Sequence, residues 1–477
     1  MLWYRIVPQQ DTLAITLRLL KPPSELSLFL PGPWAGHDSW NAYISIQQAR
    51  TPDGPCPVTL QRHLGRLDIQ LPQAKTPWVE LHYEVKLIPR KSLKDRFSPQ
   101  KLQEQPGFFA YAPTLFILPS EKLASRLTQI PIELHTPSSQ QAISTWPLVH
   151  SAASSQDNTQ HIHGYIAPDI RALRDAFLLV AENVRLTNQS QTIDIAYDPR
   201  FKGDHKAFSS FIEDILHAYE TNLGHATTHT TALVRTPNEY TSSSQRWGTG
   251  RRGGFVLELE PSALLDTSAM ILIAHEAFHL WNGHALVPST SSEPDTRWFK
   301  EGLTHYVAIK NLFQMGRISE RELLHEIAQA AQRYTQRHEL YPHSKQKRAE
   351  SAIYPYDKGV LMALALDQLL LTHTSTDLLS WLNTLVTYSR KAGSWRYTQD
   401  DLFDSLEPHF TTDTSQLHTW EGYCAQDKRL DVSLFFAQLG LHWLEADNQR
   451  AAKLIPLENK DNQWQNILKQ TPPRQEQ

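Results

Sequence analysis

The stretch 270–306, MILIAHEAFHLWNGHALVPSTSSEPDTRWFKEGLTHY, decides how this chain is read. Inside it, His275-Glu276-Ala277-Phe278-His279 spells H-E-x-x-H within an apolar run, Met270 to Ala274 and Phe278 to Trp281, that reads as a helix. Four residues is just over one helical turn, so His275 and His279 project from one face and can share a cation. Glu276 sits about 100° around the helix from His275. That places it beside such a cation, where it can take a proton from a metal-bound water. Two histidines on an ordinary polar face would need no explanation in a chain that holds 22 of them. Here the neighbours are apolar, and burying two imidazoles and a carboxylate without partners is costly. One divalent cation satisfies all three.

A catalytic zinc site takes three protein ligands and keeps a position for water. The third candidate is Glu301, in Trp298-Phe299-Lys300-Glu301-Gly302. Phe299, Leu303, Tyr306, Val307 and Ile309 recur at helical spacing. The segment is therefore expected to run helix, loop, helix, with Asp295 or Thr296 capping the second helix and Glu301 one turn inside it. His284 and His305 are close in sequence and are expected on the surface or behind the site, since three ligands complete it.

H-E-x-x-H followed by W-F-x-E-G resembles the gluzincin metallopeptidases, and His279-Leu280-Trp281-Asn282 resembles the glycyl aminopeptidase family among them, relatives of aminopeptidase N and leukotriene hydrolase. The resemblance implies that His275, His279 and Glu301 hold Zn2+, that Glu276 is the general base, and that the substrate is a peptide. Peptide hydrolysis builds negative charge on the carbonyl oxygen, and a phenol opposite the metal stabilises it. Relatives carry that phenol in a Tyr-x-Lys-Gly motif, which Tyr356-Asp357-Lys358-Gly359 matches, with Tyr354 as the second candidate. Gly253 and Gly254 match the glycines of the family's substrate-binding strand, and Asn282 is a further candidate substrate contact. The family's strand looks like Gly-Gly-Leu-Glu-His, with the glutamate holding the substrate's free amino group. Here the text is Gly-Gly-Phe-Val-Leu-Glu, so the glutamate is out of register, and Glu258 replaces it only on a bulged strand. Pro31-Gly32-Pro33-Trp34 is similar to a loop of the family's N-terminal β domain. The specific motifs occupy residues 275–306 and 354–359. No second β-rich segment near the end is long enough for the PDZ-like module that the family often carries, so functions of that module are not expected.

The rest of the chain bounds this reading. At 477 residues it is too long for one core. Forty per cent apolar and 20% charged residues are ordinary for a globular protein. A formal net charge of −4 gives no reason to expect nucleic acid or an anionic membrane as partner. No run approaches the roughly 20 apolar residues of a membrane span, and Met1-Leu2-Trp3-Tyr4-Arg5 does not open a signal peptide. Cys56 and Cys424 are too few and too far apart for a disulfide framework. A cytoplasmic location is the default expectation.

Short alternating runs, Leu13–Leu19, Glu25–Leu30, Val58–Leu60, Leu67–Leu71 and Val79–Leu87, punctuated by Pro, Gly and Asp, predict an antiparallel β-sandwich over residues 1–165. The polar text of 137–165 predicts a boundary or long surface loop. Strands at Gln191–Tyr197, Thr231–Arg235 and Gly254–Glu260 and a helix at Ala207–Leu223 precede the H-E-x-x-H helix, the order of a thermolysin-like zinc catalytic domain over 166–340. Helical spacing then continues through Glu320–Arg337, Ala352–Leu371, Asp377–Ser389 and Gln399–Leu406, predicting an α-helical C-terminal domain over 341–477. The expectation is a multidomain α+β zinc metallopeptidase, foremost an aminopeptidase on short peptides. An endopeptidase, or a non-catalytic metal-bearing binding protein of the same fold, are the alternatives.

Overall fold

The computed structural model describes residues 1–469 except 33–39, 73–75, 92–94, 154–158, 188–191, 238–244, 394, 411–413, 447–450 and 458–462. Part of the Pro31-Gly32-Pro33-Trp34 stretch thus lies outside the described residues. The fold is mixed α/β, with several sheets and many helices. It divides into two compact units, Met1–His205 with Thr228–Ala263, and Lys206–Thr227 with Leu264–Gln477. The expected 166–340 segment is shared between them, its strands in the first unit and its metal helix in the second.

The first unit is built from strands whose alternation follows the pleat. Thr12–Leu20 buries every second residue, Leu13, Ile15, Leu17 and Leu19. It pairs antiparallel with Leu2–Pro8 and with Trp78–Lys86 inside an eight-stranded sheet. The buried faces merge into one core that includes Tyr4, Leu17, Leu81, Tyr83, Phe116 and Trp146. Smaller four- and five-stranded sheets accompany it. Among its described residues, the polar stretch 137–165 is not one long loop. It forms the strands Gln141–Ser144, Leu148–Ala153 and Gln160–Asp169. Every residue of Leu148–Ala153 is exposed, at the edge of the eight-stranded sheet.

A five-stranded mixed sheet closes this unit, in the order Arg185–Thr187, Ile193–Tyr197, Thr230–Arg235, Gly254–Glu258, Trp247–Arg251. Gly254–Glu258 is buried along its whole length, and its pairing runs without a bulge.

The second unit is mostly helical, with one two-stranded antiparallel sheet, Leu441–Leu444 with Lys453–Pro456, inside the stretch expected to be all helix. The 12-residue helix Thr267–Phe278 is capped by Asp266, whose carboxylate accepts from the Ala269 N–H. It packs against Thr304–Gln314, and Tyr219 ties it to the helix His205–Leu223 by a 3.0 Å hydrogen bond to the Ala274 carbonyl. Asp295 and Thr296 are not caps. The chain is already helical from Glu293 to Arg297, with Ser292 at the N-cap position and Pro294 in the first turn, where a missing N–H costs nothing. It then widens into a π-helical turn, Trp298–Leu303, before continuing as Thr304–Gln314. The helices Glu320–Leu340, Tyr354–His373 and Leu378–Ala392 follow. No helix among the described residues is long and apolar enough to cross a membrane, and both cysteines are free and buried.

Candidate metal centre

The π-turn has a consequence for Glu301. Such turns are rare and concentrate at functional sites. Here side chains cover carbonyls of the widened turn: Thr304 Oγ1 donates to the Lys300 oxygen at 2.7 Å, and Asn282 Nδ2 donates to the Phe299 oxygen at 2.8 Å. Glu301 is thereby turned to the H-E-x-x-H helix. His275 Nε2 lies 3.1 Å from His279 Nε2, and Glu301 Oε2 lies 3.6 Å and 3.4 Å from those two nitrogens. Ligand bonds of about 2.0–2.1 Å give a tetrahedron edges of about 3.3–3.4 Å, so the three atoms are spaced as three corners around a zinc-sized ion. Among the described residues this is the one group of three or more His, Cys, Asp or Glu side chains close enough to share a metal.

The protonation pattern fits the same ion. The His279 Nδ1–H donates to the Asn282 carbonyl at 2.9 Å, which leaves the Nε2 lone pair facing inward. Burial works against charge at Glu301, but His279 and His275 hold its carboxyl well below the usual range. Burial likewise lowers His279, and the Glu301 carboxylate outweighs that and raises it. Without a metal, protons do the work of the cation. Glu276 is buried next to this group, and its charge acts on both His279 and Tyr356.

Tyr356 enters from the helix Tyr354–His373. Its ring stacks on His275 with centroids 5.7 Å apart, and the Glu301 carboxylate acts on its phenol. Burial, then the Glu301 and Glu276 carboxylates, push its pKa up, so it remains a proton donor. Two glycines make this approach possible. A Cβ on Gly302 would come within 2.3 Å of the Gly359 Cα, and one on Gly359 within 2.1 Å of the Trp298 oxygen. The glycines of W-F-x-E-G and Tyr-x-Lys-Gly thus face each other, and backbone contact between them brings Glu301 and Tyr356 together.

The other sequence candidates fall elsewhere. Asn282 is fully buried, and its amide also donates to Thr304 Oγ1 at 3.1 Å. It ties the turn after the H-E-x-x-H helix to the π-helical turn. Tyr354 is buried, with its phenol on Asp427 at 2.8 Å and 2.9 Å from His338 Nε2. Gly253 has φ 82° and forms the turn between two strands of the five-stranded sheet, and a Cβ on Gly254 would strike the Thr231 oxygen at 2.0 Å. Both are explained by sheet packing in the first unit. Glu258 is fully buried there, 2.7 Å from Arg90 Nη1, 3.3 Å from Arg235 Nη1 and 3.4 Å from Arg96 Nε. It is committed to arginines. His305 stands with its ring 5.8 Å from that of His275, behind the three ligands, and burial first and His275 second push it down to about 3.

A mixed α/β fold thus carries a donor set spaced for one metal ion. Residues 268–362 match the family model described as M61 glycyl aminopeptidase. Among solved structures the chain is similar to an aminopeptidase N family protein from Idiomarina loihiensis, at 18% identity and a TM-score of 0.76, covering 95% of this chain and 81% of that one. It is also similar to an M1 zinc metallopeptidase from Deinococcus radiodurans, at 13% identity and a TM-score of 0.60, covering 90% and 94%. A mutant of an M1 zinc metallopeptidase from that organism, bound to a Tyr-Ser-Ala substrate, matches at 12% identity and a TM-score of 0.56, again covering 90% and 94%. At these identities the likeness is one of fold. No curated protein matches the chain by sequence.

Proposed function

We propose that the chain is a zinc-dependent aminopeptidase acting on short peptides. The observation that carries this is the convergence of His275 Nε2, His279 Nε2 and Glu301 Oε2 at separations of 3.1–3.6 Å. Zinc held by these three residues would act as a Lewis acid and lower the pKa of a water toward about 7. Glu276 takes the proton from the attacking water and delivers it to the departing amine. Tyr356, protonated and pressed against His275, donates a hydrogen bond to the oxygen that gains charge. Asn282 and the Gly302–Gly359 contact hold these groups in place. The short substrate is supported by the Tyr-Ser-Ala peptide bound to the Deinococcus radiodurans relative. We read the layout as an N-terminal β-sandwich, a thermolysin-like catalytic domain and a helical C-terminal domain.

A second reading, endopeptidase, is favoured by one observation. Glu258, the nearest carboxylate in sequence to the expected amino-group anchor, is held by three arginines and is not free for a substrate ammonium.

The test is zinc content together with hydrolysis of free and N-acetylated short peptides, for the wild type and Glu276→Gln. An aminopeptidase shows one zinc per chain in both proteins, cleavage of free peptides only, and a loss of about 10²–10⁴-fold in kcat in the variant. Equal cleavage of acetylated peptides moves the reading to endopeptidase. Absence of stoichiometric zinc removes the site.

A further inference from the structure

Asp427 lies in the connection between the helices Ser415–Ala425 and Val432–Gln438, far in sequence from every motif above. It is 4% exposed, and its φ of 54° places a non-glycine residue in the left-handed region. Such a conformation persists only where the surroundings over-determine it, and here they do. Oδ1 accepts from Lys358 Nζ at 2.7 Å and from the Tyr354 hydroxyl at 2.8 Å, while Oδ2 accepts from Arg348 Nε at 2.8 Å. Lys358 also donates to the Cys424 carbonyl at 2.8 Å. The ring of Tyr354 stacks on Tyr334 at 6.0 Å with 7° between planes, and the Tyr334 hydroxyl accepts from the Leu430 N–H at 3.0 Å. The connection around Asp427 is thus tied to three helices at once.

Two of these contacts flank Tyr356 at equal distance in sequence. At about 100° per residue, positions two before and two after Tyr356 lie about 160–200° from it, on the opposite face of the helix. Tyr354 and Lys358 therefore grip the back of the turn whose front presents the phenol. The Gly302–Gly359 contact sets how close that helix comes to Glu301, while the grip on Asp427 sets its rotation. Tyr356, stacked 5.7 Å from His275, is aimed by both.

We propose that Asp427 is a positioning residue for Tyr356: by binding Tyr354 and Lys358 together it fixes the rotation of the helix start, and so the direction of the Tyr356 hydroxyl at the metal centre. This also explains the lysine of the Tyr-x-Lys-Gly motif, whose ammonium is spent on the clamp and not on substrate. The inference rests on the role proposed above for Tyr356.

The experiment uses the full zinc-loaded chain and a short peptide with a free amino terminus. Tyr354→Phe, which removes one clamp bond and leaves the charges paired, and Asp427→Asn are each made with Tyr356 intact and with Tyr356→Phe. With Tyr356 intact, kcat falls roughly tenfold for Tyr354→Phe and up to ~10²-fold for Asp427→Asn, with KM within about twofold and one zinc per chain. With Tyr356→Phe, neither change lowers kcat further by more than about twofold, because residues acting through one group are not additive. Equal losses in both backgrounds, a change confined to KM, or loss of zinc overturn the proposal. Should Asp427→Asn fail to fold, Tyr354→Phe alone decides. If Tyr356→Phe by itself leaves kcat unchanged, the role of Tyr356 fails first and the positioning role falls with it, an outcome distinct from a costly Tyr356→Phe with an additive clamp.

Discussion

Glu258 and Glu301 are both buried carboxylates, yet the groups they face are opposite in kind. Glu258 has Arg90, Arg96 and Arg235 around it, and although burial favours the neutral acid, Arg90 and Arg235 hold its pKa below the usual range. Its charge is matched by permanent cations from the same unit. Glu301 faces Nε2 of His275 and of His279, and the His279 Nδ1–H is already given to the Asn282 carbonyl. The two Nε2 atoms and Glu301 Oε2 lie within 3.1–3.6 Å of one another, a cluster that a cation or protons would match. The contrast separates a lock from a receptor. A carboxylate whose partners are arginines stabilises the fold, whereas one set among imidazole nitrogens is a candidate metal ligand.

The largest effect is expected where that contrast is sharpest. Glu301→Gln removes one of the three proposed ligands, so metal content after dialysis should fall from one per chain to near zero, and peptide hydrolysis by roughly a thousandfold, the several kcal/mol that such an ion supplies. Its thermal stability in the presence of a chelator stays close to that of the chelated wild type. Full zinc in this variant, measured by elemental analysis, would break the comparison. Glu258→Gln should do the reverse. It leaves arginines buried without their counter-charge, a loss of about 3–5 kcal/mol, read as a lower urea midpoint, while zinc per folded chain is unchanged. A variant as stable as the wild type would mean that Glu258 is no lock.

Why one carboxylate was readable from sequence and the other was not follows from where their partners lie. His275, Glu276, His279 and Glu301 fall within 27 residues, and helical geometry alone places the first three. Tyr356 came from a motif, and the alternation of Leu13–Leu19 predicted its buried face. The arginines of Glu258 sit at 90, 96 and 235, positions joined only by strand topology. The same holds for Asp427, whose partners Arg348, Tyr354 and Lys358 are 69 or more residues away. The sequence makes Asn282 and Gly254 candidates for substrate contact, whereas their neighbours across the fold, the Phe299 carbonyl and the Thr231 oxygen, are not legible in it. The π-turn left no periodicity to detect, since it adds one residue to a helix that otherwise continues.

The clamp at Asp427 offers the finest test of the distinction between matched and unmatched groups, because it contains a histidine. His338 Nε2 is 2.9 Å from the Tyr354 hydroxyl, which itself donates to Asp427. Burial above all, then the Arg348 guanidinium, push His338 down to about 4. Its folded pKa is below the ordinary 6.5, so as the solution is acidified the unfolded chain takes up this proton first. The stability that the neutral ring contributes is therefore complete above about pH 6.5 and is lost as pH falls toward 4. His338→Gln keeps a hydrogen-bonding amide and removes the titration. Between pH 7 and 5 the wild type should lose more stability than this variant, a modest gap read from urea midpoints at each pH. Glu258→Gln should not alter that gap, since the Glu258 carboxylate stays ionised throughout. Parallel curves for wild type and His338→Gln would show that the ring carries no such linkage, and that the clamp, like the arginine cluster, is matched at every pH where the fold survives.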